Sequence, residues 1–361
     1  MAGPTGPTGT DAGGQNVPER VRKVFPGISS RAYEHPADRA ALVTLRAVPG
    51  FDTFLRVMAG AFSERRVRAL YLASSVRVGE QQFADVHRIH TDCIRILDLG
   101  WEPELYVSQD PRVNARTFGL DKPFVVLNTG LLDLLDDEEL RVVVGHELGH
   151  VLSGHALYSS VLFFLMELLR VGTWMPLGAI GLRAIVEALR EWFRKAELSC
   201  DRAGLLVSQD PGAAMRVHMK IAGGARVQDM NLVAFLEQAE EYTKAGDARD
   251  SLIRILNLLG TTHPFSVLRA LELKQWIEAG DYERILSGTY PLRADDPSTS
   301  FSEEMKAAAR SYKENFDQSD DPLFKFVRDL GDTAGAAGGW FADRIRSATR
   351  PRDGGGNGNA N

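Results

Sequence analysis

The chain has 361 residues, of which 44% are hydrophobic and 25% charged, as in a globular protein with a substantial core. Its formal charge of −6, with basic and acidic residues interleaved, argues against a nucleic-acid partner. Two cysteines, Cys93 and Cys200, are too few for a disulfide framework or a Cys-rich structural zinc site. Residues 1–17 lack the features of a secretory signal, so a reducing, cytoplasmic setting is expected.

Most of the chain has the periodicity of helices, with apolar residues at spacings of three and four. Between Ala37 and Leu97 the pattern predicts three helices, broken at Pro49 and around Ser63. The Gly-rich ends are predicted to be disordered. The predicted organisation is a disordered N-terminus (1–17), an N-terminal helical region (18–98), a central domain (99–280), a C-terminal helical region (281–350) and a disordered tail (351–361).

A small sheet is predicted between Glu104 and Leu127, where short runs of β-branched and aromatic residues are separated by turn residues. The three runs are Leu105–Ser108, Ala115–Phe118 and Phe124–Leu127. Because the connections between them are short, we expect the strands to pair antiparallel. The predicted fold class is therefore mostly α with a small antiparallel β-sheet (α+β).

The helix after the sheet carries the residues with the most informative spacing. Asp136 can serve as its N-cap, and Glu139 completes a capping-box pattern. His146 and His150, four residues apart, lie on one face, where both imidazoles can reach a single metal ion. Glu147 points beside that ion and can take a proton from a water molecule that the metal activates.

The alternative for this pattern is a surface helix whose two histidines share no ligand. The flanking residues argue against it, because Val142–Val144 before the motif and Val151–Leu152 after it place the helix in a core. Histidines buried there without partners would destabilise the fold. The pattern therefore favours a metal site.

A third metal ligand has two candidate sources. The extended pattern with a third histidine needs glycine at 153 and histidine at 156, but the sequence has Ser153 and Ala156. His155 is one residue out of register, which is a rotation of about 100° around a helix, so it cannot simply replace that ligand. A carboxylate from a second helix is the other source.

Glu197 is the candidate carboxylate, because it lies in a later segment with helical spacing. Asp201, one turn further on the same face, is placed to accept a hydrogen bond from a ligand imidazole. The alternative for Glu197 is an ordinary solvated helix glutamate. Its pairing with Asp201 favours the ligand.

These motifs, from Asn114 to Arg269, resemble the M48 family of zinc metallopeptidases, the HtpX-like gluzincins. Cys200 departs from the family pattern, which usually has alanine there, and we expect it to lie on the far side of the ligand from the metal. The matching segments are Val113–Ala115, Val126–Leu132, Asp136–Leu140, Gly145–His155, Glu197–Asp201 and Thr262–Pro264 followed by Arg269.

The resemblance implies a zincin-like catalytic core with helical flanking regions and one Zn²⁺ per chain. It implies His146, His150 and Glu197 as the zinc ligands and Glu147 as the general base of an endopeptidase. It also implies that a protein or peptide substrate adds as a strand to the edge of the small sheet. His263 and Arg269 match a late family motif near the active site and are candidates for transition-state or structural support. For His263 the alternative is a histidine that merely starts a helix before proline.

Residues 156–189 between the ligands are apolar, but their uncharged runs are shorter than the roughly 18 residues that span a bilayer. One interpretation is a buried or partner-facing helical hairpin. The other is an interfacial hairpin with Trp174, Phe163 and Phe164 at the headgroup level. We predict a soluble protein and leave peripheral membrane contact through this segment open.

The leading functional prediction is thus a zinc-dependent endopeptidase. The competing hypotheses are a binding or scaffold protein with a non-catalytic zinc ion, and a latent peptidase that a partner or a membrane activates.

Overall fold

The fold is known here from a computed structural model of the chain. It describes residues 21–47, 63–171, 178–244 and 265–296, with Phe51, Leu55 and Met58. Within these ranges helices predominate around one small sheet, which confirms the predicted α+β class.

The helices and strands follow one another in an order that places the sheet before the longest helices. The strands are β1 (Val76–Arg77), β2 (Leu105–Ser108), β3 (Ala115–Phe118) and β4 (Phe124–Asn128). The α-helices are α1 (Pro36–Ala47), α2 (Glu64–Ser74), α3 (Ala84–Ile96), α4 (Thr129–Leu134), α5 (Asp137–Leu152), α6 (His155–Val171), α7 (Gly178–Ser208), α8 (Pro211–Gly223), α9 (Leu232–Lys244), α10 (Ser266–Glu278) and α11 (Asp281–Leu286).

The sheet is mixed, with the strand order β1-β2-β4-β3. β3 and β4 pair antiparallel, as their short connection predicts. β2 pairs parallel with β4, so the prediction of a wholly antiparallel sheet is wrong. The chain leaves β2, passes beyond the position that β4 takes, and lays β3 on the edge. Loop length indicates the direction of neighbouring strands, but here β2 and β3 are not neighbours.

Strand β1 was not predicted, because two residues are too few to show an alternating pattern. It separates α2 from α3, so the helical run expected up to Leu97 is interrupted between Ser74 and Ala84. Ser63 is the N-cap of α2, which confirms the predicted break there.

Helix α5 begins as its sequence predicts. The Asp136 carboxylate accepts a hydrogen bond from the Glu139 backbone N–H, and the Glu139 carboxylate accepts one from the Asp136 backbone N–H. Glu139 is fully buried and also pairs with Arg216 and Lys220 of α8. The cap therefore determines where α5 starts and also holds it against α8.

Helices α5 and α7 cross so closely that only small residues fit between them. A Cβ on Gly145 would lie 2.7 Å from the Val207 Cβ, and one on Gly149 would lie 2.8 Å from the Ala203 Cβ. Real side chains essentially never approach that closely. The glycines therefore allow the crossing, which brings the middle of α7 beside the histidines of α5.

The N-terminal residues share a core with α5. Phe25, Ile28 and Tyr33 are completely or almost completely buried. They belong to the same hydrophobic cluster as Val144 and Leu148 of α5. Helix α1 packs against α7. The segment before residue 98 thus contributes to the packing that holds the histidine helix in place.

No single helix in the described ranges is both long and apolar enough to cross a membrane. Helices α5 and α6 would pass that test only as a pair, and they are bent by 93° at their junction.

Several predictions concern residues outside the described ranges. They are the disordered ends (1–17 and 351–361), His263, Trp174 and the part of the C-terminal helical region beyond residue 296. The predicted domain boundaries stay predictions.

Candidate metal centre

The structure brings His146, His150 and Glu197 together. The Nε2 atoms of the two histidines lie 3.2 Å apart. One carboxylate oxygen of Glu197 lies 3.2 Å from His150 Nε2, and the other lies 3.5 Å from His146 Nε2. Helical spacing places the two imidazoles on one face of α5, and the α5–α7 crossing supplies the carboxylate. The three side chains can hold one metal ion.

The donors are buried and sit in a negative field. His146, His150 and Glu197 are 7%, 3% and 0% exposed. Burial lowers the pKa of His146, but the carboxylates of Glu197 and Asp201 outweigh it and raise that pKa to about 10. The same carboxylates favour a cation between the donors. Burial lowers the pKa of His150, which favours the neutral imidazole that a metal requires.

Asp201 and Arg269 support the ligands. Asp201 Oδ1 lies 3.0 Å from His146 Nδ1, as predicted for a hydrogen bond to a ligand imidazole. Arg269 of α10 donates from Nε to Asp201 Oδ2 at 2.7 Å, and its Nη1 lies 3.0 Å from Glu197 Oε2. Both residues are buried. Arg269 therefore contacts the candidate ligand Glu197 directly, and it also contacts Asp201, the partner of His146.

Glu147 lies beside the donors and is oriented by the edge strand. Its carboxylate accepts a hydrogen bond from the Thr117 hydroxyl of β3 at 2.6 Å. The same hydroxyl lies 3.1 Å from the Glu147 backbone oxygen. Glu147 is only 4% exposed, so this contact restricts the few orientations that its carboxylate can take.

His155 is not one of these three ligands, but the reason differs from the one that the sequence suggested. Helix α5 ends at Leu152, Gly154 adopts a positive φ of 69°, and His155 begins α6. A rotation counted along one helix therefore does not apply. His155 turns back so that its Nδ1 lies 3.3 Å from His150 Nδ1.

Cys200 also lies nearer to the histidines than expected. Its Sγ is 3.6 Å from His155 Nδ1, and His150, His155 and Cys200 form a second group of possible metal donors. Burial raises the pKa of the Cys200 thiol well above its usual range, and the negative charge of Glu197 raises it further. The neutral thiol is thus favoured at this position.

Several residues around the centre were not predicted from the sequence. Thr117 was part of a predicted strand, but an alternating pattern does not reveal which strand faces the helix. Asp38, which contacts His155, lies more than one hundred residues before it. His218 of α8 lies 3.9 Å from Asp201, and burial lowers its pKa to about 4. Phe193 stacks on His150 with ring centroids 5.4 Å apart. None has a local sequence signal.

Two recesses meet at Glu147. Both are lined by Ala115, Glu147 and Glu197. The first, of about 580 Å³, is bounded by α6 and is mostly apolar, with Phe118, Leu162, Phe163 and Met166 in its wall. The second, of about 630 Å³, extends towards α8 and α10, with Val143, Val217, His218 and Arg269 in its wall.

The chain is similar to known peptidases. The family model described as Peptidase family M48 matches residues 80–277. The chain is 36% identical over 270 residues to the plastoglobule-localized metallopeptidase 48 of Arabidopsis thaliana, covering 73% of this chain and 77% of that protein. No solved structure matches the chain.

Bacterial relatives match a shorter part. The chain is 30% identical over 150 residues to a protease HtpX homolog of Tropheryma whipplei, covering 34% of this chain and 52% of that protein. It is 30% identical over 132 residues to protease HtpX of Xanthomonas euvesicatoria, covering 36% of this chain and 44% of that protein. The match thus spans about half the length of these HtpX proteins. Taken with the family model and the plant relative, these matches show that the chain belongs to peptidase family M48.

Proposed function

We propose that this protein is a zinc-dependent endopeptidase in which His146, His150 and Glu197 hold the metal and Glu147 is the general base. Membership of a peptidase family supports a proteolytic function. The proposal of a zinc site with a general base rests on one observation. Two imidazoles and a carboxylate converge at one point, with a second buried carboxylate beside them.

The separations of the donor atoms fit one zinc ion. Bonds of about 2.0–2.1 Å in a tetrahedral arrangement place neighbouring ligand atoms about 3.3 Å apart. The three separations here are 3.2, 3.2 and 3.5 Å. Two histidines and one glutamate leave a fourth position for water or substrate, as in catalytic zinc sites. We propose one Zn²⁺ per chain.

Zinc bound at this site would polarise the scissile carbonyl and increase the acidity of water, so that hydrolysis proceeds near neutral pH. Glu147 would take the proton of the attacking water and later return it to the leaving amine. Thr117 would keep the carboxylate turned towards the reacting atoms. Asp201 would hold His146 by its Nδ1–H, so that its Nε2 lone pair is directed at the metal. Arg269 would balance the charge of Asp201 and Glu197.

We infer that the peptide substrate lies in an extended conformation along β3. Among the described residues this strand is at the edge of the sheet and pairs only with β4. Asn114 O accepts a hydrogen bond from Asn128 N, so by strand alternation the backbone groups of Ala115 face away from β4. Ala115 also lines both recesses. A peptide paired there would place side chains in the two recesses on either side of Glu147.

The alternatives considered from the sequence, a non-catalytic zinc scaffold and a latent peptidase, are not favoured by the peptidase relatives. The name of the Arabidopsis relative places that protein at plastoglobules. We therefore keep membrane contact as part of the proposal, with either a cytoplasmic or a membrane-associated location.

The test compares wild type with Glu147→Gln, using an unfolded protein and a fluorogenic peptide blocked at both ends. We expect wild type to cleave both substrates, because endopeptidases need no free terminus. Glu147→Gln should lose at least about a thousandfold in activity while binding one zinc per chain, since it loses only the proton acceptor. Glu278→Gln, on the exposed end of α10, is the control and should be fully active. Full activity in Glu147→Gln would refute the mechanism.

A further inference from the structure

We propose that His155 and Asp38 are positioning residues that orient the His150 imidazole and select the tautomer whose Nε2 faces the metal. The inference rests on the metal site of the proposed function and adds to it two residues from outside the ligand motif. It also gives the N-terminal helix α1 a role at the metal centre.

The three side chains form a continuous chain of polar contacts. His150 Nδ1 lies 3.3 Å from His155 Nδ1, and His155 Nε2 lies 3.2 Å from Asp38 Oδ2. His150, His155 and Asp38 are each at most 3% exposed. The contacts therefore run through the protein interior, from the candidate metal position to the first turn of α1, away from competing water.

Asp38 is itself held on every side. Its Oδ2 also accepts a hydrogen bond from the Ser199 hydroxyl at 2.6 Å, and its Oδ1 accepts one from Trp192 Nε1 at 3.0 Å. Ser199 in turn accepts a hydrogen bond from the His35 backbone N–H at 2.8 Å. A carboxylate with both oxygens occupied by donors has little freedom to rotate, so it is a fixed acceptor for His155.

This chain of acceptors and donors determines the tautomer of His150. A carboxylate can only accept, so His155 Nε2 carries the hydrogen, and the Nδ1 of neutral His155 is a lone-pair acceptor. His150 Nδ1 must then carry a hydrogen to donate to it, which leaves His150 Nε2 as a lone pair directed at Glu197 and His146. Burial lowers the pKa of His155, but the Asp38 carboxylate outweighs burial and raises that pKa. A cation bound at His150 Nε2 leaves the hydrogen on His150 Nδ1, and this N–H needs the lone pair at His155 Nδ1 as its acceptor.

The two histidine ligands are thus supported in different ways. His146 reaches a carboxylate directly, at Asp201. His150 reaches one through His155, because Gly154 allows the chain to turn so that His155 starts α6 beside it. The Cys200 thiol, 3.6 Å from His155 Nδ1, is a weak donor and does not change the assignment.

The experiment measures zinc affinity by competition with a chelator for the full-length chain and its variants. His155→Phe removes both hydrogen bonds and keeps a ring in the cavity. We expect its zinc Kd to rise about 10–100-fold, as is usual when a partner of a ligand histidine is removed. Asp38→Asn should weaken binding in the same direction. The double variant Asp38→Asn/His155→Phe should bind zinc no more weakly than His155→Phe alone, because both residues act through one chain of contacts.

Tyr158→Phe is the matched control. Tyr158 lies on α6 one turn after His155, and its hydroxyl accepts a hydrogen bond from Arg46 of α1 at 2.8 Å. This variant breaks a contact between the same two helices but does not touch His150. Its zinc Kd should stay within about twofold of wild type. A merely structural role for His155 would predict equal effects at the two positions.

A second readout reports the tautomer itself. The ¹⁵N spectrum of zinc-loaded protein with labelled histidine should show His150 with a protonated Nδ1 and a metal-bound Nε2, and this signal should broaden or shift in His155→Phe. If Asp38→Asn or His155→Phe alone unfolds the chain, the combination of Asp38→Asn with His155→Gln is used instead, because it keeps a neutral hydrogen-bonded pair at these two positions. It should fold and bind zinc about tenfold more weakly than wild type, because an amide does not dictate the tautomer.

The results that overturn the inference are distinct from those that overturn the peptidase. Unchanged zinc affinity and an unchanged His150 signal in His155→Phe would refute the positioning role, with the zinc site intact. Two zinc ions per wild-type chain, one of them lost in Cys200→Ser, would instead assign His155 to a second metal site. No zinc binding by wild type would refute both the inference and the proposed function.

Discussion

Thr117 shows how one hydroxyl contributes to a site that the helix motif alone leaves incomplete. Its Oγ1 lies 2.6 Å from the Glu147 carboxylate, and both residues are buried. Hydrogen bonds to charged groups contribute about 1.5–3 kcal/mol. We expect this one to act mainly by orienting the Glu147 carboxylate. We therefore expect Thr117 to act on the rate of the reaction through the orientation of Glu147.

We expect Thr117→Val to lower kcat about tenfold, because Glu147 loses the partner that orients it and about 1.4 kcal/mol corresponds to one factor of ten. KM and zinc content should change little. The measurement is steady-state kinetics on the doubly blocked peptide. Thr117→Ser keeps the hydroxyl and should restore most of the rate. A Val variant as active as wild type would mean that Glu147 is oriented by other contacts.

At the scale of elements, the crossing of α5 and α7 decides whether the ligands meet. Three glycines lie in it, since a Cβ on Gly204 would lie 2.5 Å from the Val142 backbone oxygen, in addition to the contacts at Gly145 and Gly149. The candidate ligands come from two helices, so a change in the separation of these helices moves Glu197 relative to the histidines. Packing that contains no ligand atom thus determines the geometry of the site.

Gly149→Ala tests this crossing, because its new Cβ would lie 2.8 Å from the Ala203 Cβ. We expect the free energy of unfolding to fall by about 1–3 kcal/mol, as in an overpacked core, and zinc binding to weaken. Urea denaturation and chelator competition measure the two effects. Gly149→Ala with Ala203→Gly removes the clash and should recover part of both losses.

Gly100→Ala is the control, because a Cβ at Gly100 would meet no atom within 4 Å. It should leave both stability and zinc affinity within error of wild type. Equal behaviour of the Gly100 and Gly149 variants would show that the two helices can separate without affecting the ligands.

For the whole molecule, we expect stability to depend on a buried histidine that is not among the candidate metal ligands. His90 of α3 is 2% exposed, and its Nε2 has no hydrogen-bond partner within the described ranges. Burial lowers its pKa from 6.5 to about 4, with a smaller contribution from His87. The folded state therefore holds His90 neutral in a range where the unfolded chain protonates it.

The sign of the pH dependence follows from this difference. Between pH 6.5 and about 4 the unfolded chain binds more protons at His90, so its contribution to stability is fully present above pH 6.5 and is lost as the pH falls. From pH 6.5 to 5 the loss approaches about 2 kcal/mol, at about 1.4 kcal/mol per pH unit. Because α3 packs on α5, we expect this loss of stability at low pH to reach the helix that carries the candidate histidine ligands.

His90→Leu removes this titration. As the pH falls from 7 to 5, we expect the free energy of unfolding of the variant to rise by up to about 2 kcal/mol relative to that of wild type. Urea unfolding of chelator-treated protein at the two pH values measures the difference without any contribution from bound metal. A stability difference that is the same at both pH values would show that His90 titrates normally in the folded state.

The N-terminal segment belongs to the same molecule-wide packing. Phe25, Ile28 and Tyr33 lie in the core cluster of α5, and Asp38 contacts His155. Truncation near residue 98, which the sequence alone suggests as a test for latency, would remove these contacts. It would test folding and not the release of an inhibitory segment, so point variants are the better choice.

Short-range sequence patterns were enough to predict the local chemistry of this protein. A capping box at Asp136, two histidines at helical spacing and a later Glu197–Asp201 pair follow from backbone periodicity, which any helix of that sequence obeys. The family resemblance rests on the same short segments. The limits of β2 and β3 were predicted for the same reason, since alternation is a local property, and β4 is one residue longer than predicted.

Which of these elements are neighbours follows from the packing of the folded chain. The fold places β2 parallel to β4, turns His155 back onto His150, brings Thr117 to Glu147 and puts Asp38 beside a residue more than one hundred positions later. These contacts join segments whose approach depends on the packing of the whole core, and on glycines that permit it, and no short-range pattern records that packing.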